Sequence, residues 1–98
     1  GNVEKYIKNN SKNEITLDEL ASIAFISSNY LSRLFKECTG INIINYIQNT
    51  RIENACKLLK NTNKTILEIA LIVGYKDIKH FNQIFKRITG KTPGEYRK

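Results

Sequence analysis

Ninety-eight residues with 16 Lys and Arg against 9 Asp and Glu give a formal charge of +7, with 41% hydrophobic residues. That suffices for one compact domain or two very small units sharing a core, while no run approaches the roughly 20 apolar residues of a membrane span. So large a positive surplus favours a polyanionic partner, DNA, RNA or an anionic membrane surface, without choosing among them.

Helical periodicity runs through the whole chain, and β-type alternation is scarce. "VEKYIKN" places Val3, Tyr6 and Ile7 on one helical face. Its polar start lacks the apolar core of a signal peptide. Thr16 with Glu19 forms a capping-box pair before Leu17, Leu20, Ala21 and Ala24, one face of a short helix. "FIS" is the expected turn, and Ser27 or Ser28 caps "NYLSRLFKEC", whose stripe is Leu31, Leu34, Phe35 and Cys38. Gly40 stops that helix. A longer one follows from about Ile43 to Lys60, with Ile44, Ile47, Ala55 and Leu58 expected inward. Thr65 and Glu68 make a second box ahead of "ILEIALIV", which Gly74 breaks. Asp77 caps "IKHFNQIFKRI", with stripe Phe81, Ile84, Phe85 and Ile88, and Gly90 ends it. Thr92, Pro93 and Glu95 supply a cap, a proline at the first helical position and a glutamate at the third. The chain is predicted to be all-α, with about seven helices.

An internal repeat organises these elements. "TLDELASIAFIS" and "TILEIALIVGYKD" match at one offset, pairing Thr16 with Thr65, Glu19 with Glu68 and Ala21 with Ala70. "LSRLFKECTG" and "FNQIFKRITG" match one residue further along, pairing Phe35 with Phe85, Lys36 with Lys86 and Gly40 with Gly90. The extra residue falls in the turn, where insertions are tolerated. Each half is thus a short capped helix, a turn, and a longer amphipathic helix ending in Thr-Gly: a helix-turn-helix pattern, present twice. The predicted organisation is a first subdomain over residues 1–42, a linker helix over 43–61 and a second subdomain over 62–98, acting as one DNA-binding unit.

The longer helix of each half carries base-reading chemistry opposite its apolar stripe. In the first these residues are Asn29, Ser32, Arg33 and Lys36; in the second they are Lys79, Asn82, Gln83 and Lys86. Arg reads guanine bidentately and Asn or Gln reads adenine, while Lys36 and Lys86, one turn on, suit phosphate or the C-terminal helix dipole. A single such face is ordinarily just solvated surface. Two at equivalent repeat positions on a +7 chain point to double-stranded DNA. A linker of about 18 residues spans roughly 27 Å, which with packing offsets places the two helices about one turn of B-DNA apart.

The residues "ITLDELA…ISSNYLSRLFKECTGINIINYIQNTRIENACKLL…ILEIALIVGYKDIKHFNQIFKRITGKTPGEYR" resemble the DNA-binding domain of the AraC/XylS family of bacterial transcription regulators, from about Ile15 to Arg97. The second half carries the more specific signature, "IA…VGY.D…F…FK…G.TP..YR". The resemblance implies two helix-turn-helix subdomains joined by a linker helix, with recognition helices in adjacent major grooves. It places the first recognition helix at Ser28 to Cys38, with Ser28 counted among the DNA contacts and bases read at Asn29, Ser32 and Arg33. It places the second at Ile78 to Ile88, reading at Ile78, Lys79 and Gln83. Two departures stand out. Phe25 occupies a turn position where a small residue is common, so a wider turn is expected. Ile78 occupies a place often polar in the family, suited to a thymine methyl or to no base. The family also implies a sensory or dimerisation domain, including the response-regulator type; RNA polymerase is a further expected partner, and two cysteines outside any CxxC or Cys/His cluster point to a cytoplasmic protein.

Other residues have plainer roles. Arg51 lies within the inner stripe of the linker helix and is expected to pair with Glu68 or Glu19, with phosphate as the second reading. Cys38 and Cys56, with no CxxC or Cys/His cluster, are expected as buried, reduced thiols. His80 has no second His or carboxylate at helical spacing, so no metal site is expected. Tyr75 is expected as a turn-core aromatic, and Tyr46 and Tyr96 as equivalent residues packed under each subdomain. No catalytic residue, cofactor or phosphate loop is legible. Two alternatives stay open: the DNA-binding module of an alkyl-transfer repair protein, whose reactive Cys would lie in an appended domain, and a basic protein- or membrane-interaction module.

Overall fold

The computed structural model describes residues 2–98. Among them are seven α-helices and no strand: α1 Asn2–Asn10, α2 Leu17–Ala24, α3 Ser28–Thr39, α4 Ile43–Asn61, α5 Ile66–Val73, α6 Ile78–Thr89 and α7 Pro93–Arg97. The all-α expectation holds. The molecule is elongated, 43 × 21 × 21 Å, with α4 as its strut. At 19 residues, that helix is about 28 Å long.

Local chemistry accounts for the helix ends. Thr16, Ser27, Asn42, Thr65 and Thr92 each accept the backbone N–H three residues on. The boxes at Thr65/Glu68 and Thr92/Glu95 are reciprocal, with each glutamate accepting the cap's own N–H (3.0 and 2.9 Å). Those backbone donors hold both carboxyls below their ordinary range. The first box is only half made. Glu19 instead accepts the Tyr6 hydroxyl at 2.8 Å, tying α1 to α2 and pushing the Tyr6 hydroxyl up. Asp77 caps α6 one residue early, at Lys79 N–H (2.9 Å). Gly40, Gly74 and Gly90 all end helices at positive φ, where L side chains are strained.

Two cores result. Ile7, Leu20, Ala21, Leu31, Phe35 and Ile43 form the first. The larger second core is built on Ile52, Ala55, Leu59, Ile69, Ala70, Val73, Tyr75, Phe81, Ile84 and Phe85. Burying a side chain such as Phe81 or Phe85 completely is worth about 1.5–3 kcal/mol. The repeat is visible in the packing: Phe35 meets Tyr46 edge-on at 5.3 Å and Phe85 meets Tyr96 at 5.5 Å. Thr39 and Thr89 hydroxyls each donate to the carbonyl four residues back (2.8 and 2.9 Å). The larger helix contacts all lie within one half or on α4.

Four expectations need correcting. The strut has no single inner stripe: Ile44 is 66% exposed, while Ile43, Ile52, Ala55 and Leu59 are buried. Ile43 and Tyr46 serve the first core, and Ile52, Ala55 and Leu59 serve the second from a different side of the helix. Cys38 is exposed and Cys56 half-buried, both free; Cys38 continues the stripe of Leu31 and Phe35 but stands in the last turn of α3, beyond the last buried residue of that helix. The first turn is narrower than the second, residues 25–27 against 74–77. Its Phe25 takes the left-handed conformation (φ 60°, ψ 37°) that Gly74 takes in the second half, and is 94% exposed. Arg51, finally, pairs with neither glutamate. Glu19 is engaged by Tyr6 and Glu68 by its own cap, and Arg51 donates to the carbonyls of Ser11 (2.6 Å) and Asn13 (2.8 Å).

Candidate nucleic-acid interface

α3 and α6 are held alike. Each buries one stripe against its own half and ends in a left-handed glycine. The opposite face of α3 presents Asn29, Arg33 and Lys36 exposed, with Ser32 half-buried. On α6, Lys79, Asn82, Gln83 and Lys86 are all exposed. In each helix these four residues stand at i, i+3, i+4 and i+7, so they line one face. A shallow hollow lined by Asn82, Gln83, Lys86, Arg87 and Thr92 extends the second face.

Two further sequence-predicted residues, Ser28 and Ile78, lie one turn before Ser32 and Asn82, at the start of each helix. Ser28 is the first residue of α3, and its hydroxyl donates to Asp18 Oδ1 on α2, so it braces the turn. Ile78, 38% exposed, opens α6. Arg33 lies over the Tyr30 ring, 5.5 Å from its centroid, which restricts where the guanidinium points.

The cleft between the halves is lined by Ser32 of α3, His80 of α6, the strut's N-cap Asn42, and Ile44, Gln48 and Arg51 of the strut itself. Sequence reading missed Arg87, whose guanidinium donates to Gln48 and so ties α6 to α4. Nothing in helical periodicity pairs residues 39 positions apart. His80 stacks edge-on to Tyr75 at 5.5 Å, and among the described residues no group of three or more His, Cys, Asp or Glu has metal-binding geometry. No described helix is long and apolar enough to cross a membrane.

A family model described as a helix-turn-helix domain matches residues 20–98. The bifunctional transcriptional activator/DNA repair enzyme AdaA of Bacillus subtilis is 39% identical over 95 residues, which make up 97% of this chain and 45% of AdaA. The crystallised C-terminal domain of the two-component response regulator yesN from Fusobacterium nucleatum is 34% identical, with full coverage of both chains and a TM-score of 0.87. The C-terminal domain of AraT, a response regulator from Geobacillus stearothermophilus, is 36% identical over 98% of this chain and 80% of that one, with a TM-score of 0.92. The chain spans under half of AdaA and about a third of two uncharacterized helix-turn-helix-type regulators, from Escherichia coli and B. subtilis.

Proposed function

The chain belongs to the AraC/XylS-type helix-turn-helix family of DNA-binding transcription regulator domains, and from that premise we propose that α3 and α6 enter successive major grooves of one duplex. The observation that carries this is the matched polar ladder on both helices, exposed except for half-buried Ser32, in one register and on a +7 chain. Arg33 reads a guanine edge. Asn29, Ser32, Lys79, Asn82 and Gln83 contact neighbouring base edges, and Ile78 meets a thymine methyl. Lys36 and Lys86 hold phosphates. Ser28 acts through the turn it braces. The unit divides as residues 1–42, 43–61 and 62–98, and it is a binding module with no catalytic, cofactor or metal site.

The likeness to yesN and AraT domains favours a response regulator as the parent, with a further domain beyond this one; we take that parent to be a cytoplasmic regulator with RNA polymerase as a further partner. The likeness to AdaA favours a second reading, in which the parent also carries DNA-repair chemistry outside this domain. A reactive cysteine in an appended domain of the parent distinguishes the two.

The test is a titration of wild type, Arg33→Ala and Lys36→Ala against a selected duplex and a random one across salt concentrations. Arg33→Ala should lose about 1–3 kcal/mol on the selected duplex and little on the random one. Lys36→Ala should weaken both equally and reduce the salt slope by about one. Equal losses on both duplexes for Arg33→Ala would demote it to a phosphate contact.

A further inference from the structure

Two reading helices act together only if something fixes their separation, and the larger helix contacts all lie within one half or on α4. The loop between α1 and α2 belongs to the first half, and it returns to the strut near its middle. There Ser11, 2% exposed, accepts Arg51 Nε with its carbonyl (2.6 Å) and Asn54 Nδ2 with its hydroxyl (3.4 Å). Arg51 Nη2 reaches the Asn13 carbonyl at 2.8 Å. The same guanidinium lies over the Tyr75 ring of the second half, 5.1 Å from its centroid. Gly74 leaves no room for a side chain: a Cβ there would stand 2.9 Å from Arg51 Nε and 3.0 Å from the Lys12 carbonyl. One planar group therefore touches the first half, the strut and the second half at once.

We propose that Arg51 is a positioning residue, whose forked grip on the α1–α2 loop against the Gly74–Tyr75 turn sets the separation and angle of α3 and α6 and hence the spacing of DNA boxes the chain accepts. The proposal rests on the two-groove reading above. A carbonyl-to-carbonyl fork stacked on a ring requires a flat, five-donor head; lysine supplies a point charge and cannot make both contacts and the stack together. A rigid junction concentrates the second helix at one position along the duplex, and a loose one spreads it over several.

The experiment selects duplexes from a random pool with the wild-type chain. It then measures affinity for the selected site, for versions with two base pairs added or removed between the protected boxes, and for a single box. Wild type should lose on the order of tenfold when the spacing changes. Arg51→Met should keep its single-box affinity, lose affinity at native spacing and show a spacing penalty of only about twofold. Arg51→Lys should fall between, and it carries the test if Arg51→Met does not fold. Ile69→Val, a change in the second core that removes none of the hydrogen bonds or the ring contact of Arg51, should lower Tm and leave the penalty intact. An unchanged penalty in both Arg51 variants, or an equal shrinkage in Ile69→Val, would overturn the proposal. A wild-type chain indifferent to spacing would instead overturn the two-groove reading itself.

Discussion

Gly74→Ala is the sharpest probe of the junction, because the structure supplies its own controls. Gly40, Gly74 and Gly90 all have positive φ, at 83°, 117° and 82°. A Cβ at Gly40 or Gly90 meets nothing within 4 Å, so alanine there carries only the left-handed penalty of about 1–2 kcal/mol. At Gly74 the same methyl runs into Arg51 and the Lys12 carbonyl, at 2.9–3.0 Å. The guanidinium is held by two carbonyls and a ring, so it yields only by giving up those contacts. A charge-assisted hydrogen bond lost in this way adds about 1.5–3 kcal/mol, making roughly 2.5–5 kcal/mol in all. For a domain of this size each kcal/mol lowers Tm by about 4–8 °C. Urea or thermal unfolding followed by circular dichroism should therefore rank Gly74→Ala well below Gly40→Ala and Gly90→Ala. Equal losses at all three positions would show that Arg51 moves aside freely, and the junction would not be rigid.

Phe25 is left-handed and 94% exposed, and it is the one non-glycine residue at positive φ among the described residues. Phe25→Gly should therefore raise stability by about 1 kcal/mol, net of the entropy glycine adds to the unfolded chain; a lower urea midpoint would mean the ring contributes packing. Glu68 and Glu95 titrate below their ordinary range in the folded chain because their caps' backbone N–H groups favour the carboxylate. The unfolded chain then binds more protons over that window, so their contribution is complete above the unfolded carboxylate range and disappears as pH falls through the folded one. The Glu68→Gln/Glu95→Gln double variant should flatten this acid limb of the Tm profile, and an unchanged limb would remove the caps from the account.

Legibility in the sequence followed the range of the interaction. Caps and stops act within four residues, so Thr65, Thr92, Gly40, Gly74 and Gly90 announced their helix ends. The repeat made Phe35–Tyr46 and Phe85–Tyr96 legible as equivalents. The strut was harder to read. It serves two cores from different sides, and periodicity analysis assumes one buried side, hence the misplacing of Ile44. Arg51 was misread for a different reason: its partners are main-chain carbonyls up to 40 residues away, and carbonyls leave no mark in a sequence. Thr16 looked like Thr65 on paper, yet Glu19 was drawn off by Tyr6 from another helix. On the binding faces, residue types and register were readable, whereas the Ser28–Asp18 and Arg87–Gln48 contacts depend on tertiary placement.

The central claim, that one chain reads two grooves through a rigid strut, is tested most directly by footprinting the isolated domain on its selected site and on that site with five base pairs inserted between the boxes. Half a turn of B-DNA places the second box on the opposite face of the duplex. The account predicts protection of both boxes on the native site, and of only one at a time on the inserted site. Undiminished protection of both boxes by one monomer on the inserted site would contradict the rigid strut, and protection of a single box on the native site would reduce the second half to a brace.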